Sequence, residues 1–77
     1  MDTIKELDIV ALISDLPKYN LGRGQVGTVV EKLAGGRAFE VEFSNMEGES
    51  YISLGLEADK LMVLHYEPFL TRETLSV

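Results

Sequence analysis

The chain has a single histidine, His65, set between Leu64 and Tyr66. Histidine is the side chain best suited to moving protons near neutral pH. A general base also needs a pocket and an orienting partner within hydrogen-bonding reach. The serines and threonines could be activated only through this one residue. With no cysteine, thiolate nucleophiles, disulfides and thiolate zinc sites are all excluded. His65 therefore reads as a surface or capping residue, and the chain as a non-enzyme without catalytic residues.

The acidic residues offer little more. Asn45-Met46-Glu47-Gly48-Glu49 crowds carboxylates into a turn, and Glu57 and Asp59 lie two apart. Calcium requires about six to eight oxygens presented at fixed offsets along a dedicated loop, and neither stretch has that spacing. Both read as solvated turns, with no metal site. Gly22-Arg23-Gly24 has the G-x-G pattern of phosphate loops, but no helix N-terminus follows it to supply converging amides. No cofactor is expected.

Binding chemistry is better represented. Leu16, Pro17, Tyr19 and Leu21 lie with Lys18 and Arg23 in one irregular stretch. Loops carry function more often than strands, and tyrosine and arginine are enriched at protein interfaces. Leu16, Pro17, Tyr19 and Arg23 are therefore candidate interface residues. With no tryptophan and no paired-tyrosine motif, an aromatic groove for a polyproline helix is not expected. The C-terminal residues 65–77 form a second candidate, because Tyr66, Phe69, Leu70, Leu75 and Val77 are too many apolar side chains for a solvated tail. Pro68 blocks a central strand there, and Thr71–Leu75 is too short for an independent helix. Tyr66, Phe69 and Leu70 complete the candidate interface. The tail either packs back over an open end of its own barrel or docks on another protein or on a second copy, the last giving a homo-oligomer; docking is the expectation.

These residues must be positioned by a very small scaffold. The chain has 77 residues and a mass of 8.5 kDa, enough for one domain with a modest core. Short apolar runs divided by turn residues indicate an all-β fold. Strands are expected at 8–13, 25–33, 38–43, 49–54 and 61–64. The clearest alternation sets Phe39, Val41 and Phe43 against Glu40 and Glu42. The long loop 14–24 follows the first strand. Gly27 implies a bulge or a close backbone approach, Ala34–Arg37 a glycine hairpin of primed type, and residues 56–61 a 3₁₀ turn. The layout is that of a five-stranded SH3-like barrel over residues 1–64, with a short N-terminal lead-in and the extension 65–77. Its expected core is Val10, Leu12, Val26, Val29, Val41, Phe43, Ile52, Leu54, Leu61 and Val63.

Charge narrows the partners. The net charge is −6. Residues 1–38 are balanced, so the whole excess lies in residues 39–77, where Lys60 and Arg72 face eight acidic residues. Phosphate backbones are held by clustered lysine and arginine, so nucleic acid is an unlikely partner. No apolar run approaches the ~20 residues that span a bilayer, and the N-terminus lacks a signal-peptide pattern. A cytoplasmic chain with no membrane partner is expected.

Several blocks together resemble a family of short uncharacterised bacterial proteins of unknown function: Ile4 to Leu12, Asp15-Leu16-Pro17, Gly24-Gln-Val-Gly-Thr-Val-Val30, Phe39 to Phe43 and Leu56-Glu-Ala-Asp-Lys-Leu61. The resemblance covers about residues 4–64. It implies an SH3-like fold and carries over no activity. It also suggests a component encoded beside a small partner protein, as antitoxin-like or immunity-like subunits are. A weaker similarity links Gly24–Val30 to the KOW motif of ribosomal and transcription-factor proteins, whose nucleic-acid-binding members bring basic loops. The function expected is thus a non-enzymatic protein-interaction module, with a KOW-like nucleic-acid or ribonucleoprotein-associated domain as the alternative.

Overall fold

A computed structural model describes residues 3–68 of the chain. The expectations for Phe69, Leu70, Leu75 and Val77 lie outside the described residues. Five strands form: β1 (Ile9–Leu12), β2 (Val26–Leu33), β3 (Ala38–Ser44), β4 (Ser50–Glu57) and β5 (Leu61–Val63). All neighbours are antiparallel, in the order β4-β3-β2-β1-β5. A 3₁₀ turn, Ala58–Lys60, precedes the last strand. The all-β, five-stranded reading of the sequence is borne out, together with its 3₁₀ turn before the final strand.

Alternation decides which face is buried. In β3 the side chains of Phe39, Val41 and Phe43 are shut from solvent while Glu40 and Glu42 are only half-buried. Val10 and Leu12 of β1 and Val29 of β2 join them. So do Leu56 from one end strand and Leu61 from the other. Residues on opposite ends of a sheet can share one core only if the sheet curls over on itself, as in an SH3-like layout. Ile4 of the N-terminal lead-in packs against this core as well.

Several details differ from the expectations. Val26 is half-exposed and lies outside the core. The inward position beside it belongs to Gly27, where a Cβ would lie 2.7 Å from Val41 Cγ1 and 2.9 Å from Phe43 Cδ1. Of the two readings of Gly27, close approach is the one observed; the irregularity in the β2–β3 ladder falls later, between Val29 and Glu31. β4 runs on through Gly55 to Glu57, which brings Leu56 into the core and confines the 3₁₀ turn to residues 58–60. The glycine hairpin is itself a 3₁₀ turn with three successive left-handed residues, at φ 51° for Ala34, 65° for Gly35 and 98° for Gly36.

Candidate functional site

The loop between β1 and β2 is more ordered than its composition indicates. Pro17–Tyr19 forms a 3₁₀ turn, with proline in the first turn where its missing N–H costs nothing. Leu16 and Leu21 close the loop through paired backbone hydrogen bonds of 2.8 Å and 3.2 Å. The Asp15 carboxylate accepts from the Arg23 amide at 2.7 Å. Leu21 is buried in the core and Leu16 packs against it. Of the four loop candidates, Leu16 therefore serves as an anchor, while Pro17, Tyr19 and Arg23 remain exposed. Lys18 sits over the Tyr19 ring, 5.7 Å from its centre, in a cation–π arrangement.

The roots of this loop open onto a surface that the sequence reading missed. On the outer face of the sheet, Ala11 pairs with Val26 on one side and with Met62 on the other. Val26 is 48% exposed, Met62 52% and Ile13 45%, whereas Val10, on the opposite face of β1, is 0% exposed. Ala11, small and flanked by larger side chains, is itself covered. Tyr51, 49% exposed, accepts a hydrogen bond from Gln25 Nε2 at 2.8 Å. That bond ties β4 to the residue before Val26, which alternation turns to the other face. The result is an apolar stripe across three strands. The sequence carried a signal for it: Val26 and Val29 are an odd number of residues apart, so an unbroken strand between them cannot turn both inward.

Charge divides the same outer face. Glu40 lies directly opposite Glu31, and Glu42 is the next outward residue on β3. Glu40 Oε2 accepts from Ser53 Oγ at 2.7 Å. The basic residues of the first half do not converge. Arg23 precedes β2, while Lys32 and Arg37 lie near its far end, roughly 20 Å along an extended strand. The Glu31–Glu40 pair is next in the ladder to Lys32–Phe39, with its side chains on the opposite face.

Two depressions adjoin the sheet. A groove of about 1240 Å³ runs beside β5, walled by Ile4, Ile13, Phe39, Leu61 and Val63, with Lys5, Glu6, Lys32 and Asp59 at its rim. Its lining is apolar and its charges cancel, so it is a surface for apolar groups and has no converging polar set for a reaction. The smaller hollow holds Tyr66, exposed, with His65 and Pro68 against Leu7 and Asp8. Among the described residues no three histidine or carboxylate side chains group as metal ligands. No helix among them is long and apolar enough to cross a membrane.

The family model described as Domain of unknown function (DUF4926) matches residues 6–63. The chain belongs to that family. The family match begins in the lead-in and ends at Val63, the last residue of β5, so it takes in every strand and both roots of the loop. The match agrees with the resemblance to an uncharacterised family. No curated protein and no solved structure matches the chain.

Proposed function

We propose that this DUF4926 chain is a non-enzymatic protein-interaction module, the partner subunit of a second protein as antitoxin-like and immunity-like components are. The observation that supports the reading is the exposed cross-strand stripe Val26–Ala11–Met62, extended by Ile13. Large apolar side chains placed side by side on a rigid sheet form the centre of an interface, and polar neighbours form its rim. The exposed loop residues Pro17, Tyr19 and Arg23 adjoin the stripe, since the loop springs from Ile13 and re-enters at Val26. The carboxylates Glu31, Glu40 and Glu42 on the same outer face favour a partner with a basic rim. They also oppose the alternative of a nucleic-acid partner, because a phosphate backbone would meet them.

The test is capture of the partner by the tagged chain from its own host, followed by reconstitution of the purified pair. Val26→Glu with Met62→Glu should weaken the reconstituted complex at least about 100-fold, since a charge buried at an interface centre without a partner is costly. Unchanged affinity rejects the stripe as the interface. Retardation of duplex DNA or RNA at about physiological salt, lost on Lys18→Glu or Arg23→Glu, replaces the reading with the KOW-like one.

A further inference from the structure

β5 is an end strand, and its hydrogen-bonding parity defines what its open edge offers. The Leu64 amide donates to the Ile9 carbonyl at 2.9 Å, and the Ile13 amide to the Lys60 carbonyl at 3.1 Å. These bonds flank the pairs Val10–Val63 and Leu12–Leu61. In an antiparallel ladder such pairs are the ones that do not bond directly, so Met62 directs its N–H and C=O to β1. Val63 directs both groups the other way and Leu61 its C=O, while the Leu61 amide donates to the Ala58 carbonyl of the preceding turn. Among the described residues no strand pairs with that edge. The apolar groove, lined by Leu61, Met62 and Val63 together with Ile4, lies alongside it. An open strand edge beside apolar pockets selects one kind of ligand, an extended peptide. Its backbone completes the ladder and its alternate side chains fill the pockets.

The chain itself leads to such a peptide. Pro68 lines the smaller hollow together with Leu7 and Asp8, which follow Lys5 and Glu6 of the groove's lining in sequence. The nine residues that follow, Phe69-Leu-Thr-Arg-Glu-Thr-Leu-Ser-Val77, contain four large apolar side chains, two threonines and neither glycine nor proline. That composition suits a strand. Fully extended, they reach about 30 Å, against roughly 10 Å for the three residues of β5. The connection 64–68 has the length of an ordinary hairpin loop.

We propose that residues 69–77 of the same molecule add to the free edge of β5 as a sixth, antiparallel strand and place apolar side chains in the groove. The same molecule is preferred to a second copy because the tether at Pro68 holds the segment at an effective concentration on the order of millimolar. A second copy in dilute solution cannot match that. The proposal goes beyond the interaction module, although the groove shares Ile13 and Met62 with the outer stripe on which that reading rests.

The experiment is amide hydrogen exchange on the full-length chain and on two single variants, Thr71→Pro and Arg72→Pro, with mass followed by light scattering across a dilution series. Successive residues of an edge strand alternate between facing the ladder and facing away, and only the first kind needs its N–H. In the wild type the Val63 amide should be protected at every concentration, in a monomer. One proline variant should accelerate its exchange at least about tenfold. The other should change it less than about twofold, with the β3 amides unaltered in both. An unprotected Val63 amide in the wild type overturns the proposal, as do two prolines with equal effects. Protection that follows the appearance of a dimer assigns the edge to a second copy and also overturns it. Loss of β3 protection in either variant makes the tail part of the core, which again contradicts an edge strand.

Discussion

On the inner face of β2 and β3, Gly27 lies opposite Phe43 and Val29 opposite Val41, all closed off from solvent. On the outer face, Val26 of β2 and Met62 of β5 flank Ala11 of β1, with about half of each large side chain in water. The two faces are built from neighbouring residues of similar hydrophobicity, yet different constraints choose them. Inside, the available volume decides, to the point that one position admits no side chain. Outside, folding sets almost no limit on size or polarity. An apolar residue kept there answers to contact with something other than its own core.

The largest effect should come from emptying the inner face. Phe43 is a large, fully buried side chain at the centre of the core. Phe43→Ala removes its transfer energy and leaves a cavity, a loss of about 3–5 kcal/mol. Since a domain of this size has a stability near the low end of about 5–15 kcal/mol, the variant should be largely unfolded in urea or thermal titration. A cooperative melt close to wild type would reverse the assignment of faces.

Overfilling the same face should cost somewhat less. In Gly27→Ala the new methyl group would lie 2.7 Å from Val41 Cγ1, 2.9 Å from Phe43 Cδ1 and 3.0 Å from the Glu42 carbonyl oxygen. The two side chains can shift, but the carbonyl is fixed in the ladder. The expected loss is about 1–3 kcal/mol, read as a shift in denaturation midpoint at constant slope. A neutral result would mean that β2 and β3 separate more easily than their packing indicates.

Gly27 also marks where sequence reading stops. The strands were legible because Phe39, Val41 and Phe43 alternate with glutamates and glycines divide the runs. Their faces were legible where alternation was unbroken. In β2 the inward slot is held by a residue with no side chain, so hydrophobicity pointed to its neighbour Val26. Leu56 was missed for a related reason, because Gly55 resembled the end of β4 when it is an interior residue of it. The exposed loop candidates Pro17 and Tyr19 could be read from composition. The stripe could not, since Val26, Ala11 and Met62 lie far apart in sequence and meet only through register. Nor could the groove, which depends on where the lead-in carries Ile4 over the core.

A smaller effect should appear at the acidic part of the outer face. Glu31 and Glu40 oppose each other directly, and like charges in that position destabilise a sheet. Glu31→Lys replaces repulsion by attraction and should raise stability by about 0.2–1 kcal/mol. The gain should shrink between low and high salt, because surface pairs are screened. A salt-independent gain would point to strand propensity instead of charge.

The smallest effect on folding is expected where the effect on binding is largest. Val26→Thr keeps the shape and β-branching of the side chain and adds a hydroxyl that water can reach, since Val26 is half-exposed. Stability should change by less than about 0.5 kcal/mol. The same exchange at Val29, which is fully buried in the core, strands a hydroxyl away from water and should cost about 1–3 kcal/mol. The two variants differ by three positions along one strand and by nothing in their chemistry, so the contrast isolates the face. Complex formation should reverse the ranking. Val26→Thr puts a hydroxyl at the centre of the proposed interface and should weaken the reconstituted complex, whereas Val29→Thr, assayed where it remains folded, should bind as the wild type does. Equal binding losses from both would mean that the partner senses global stability. The outer stripe would then be ordinary surface.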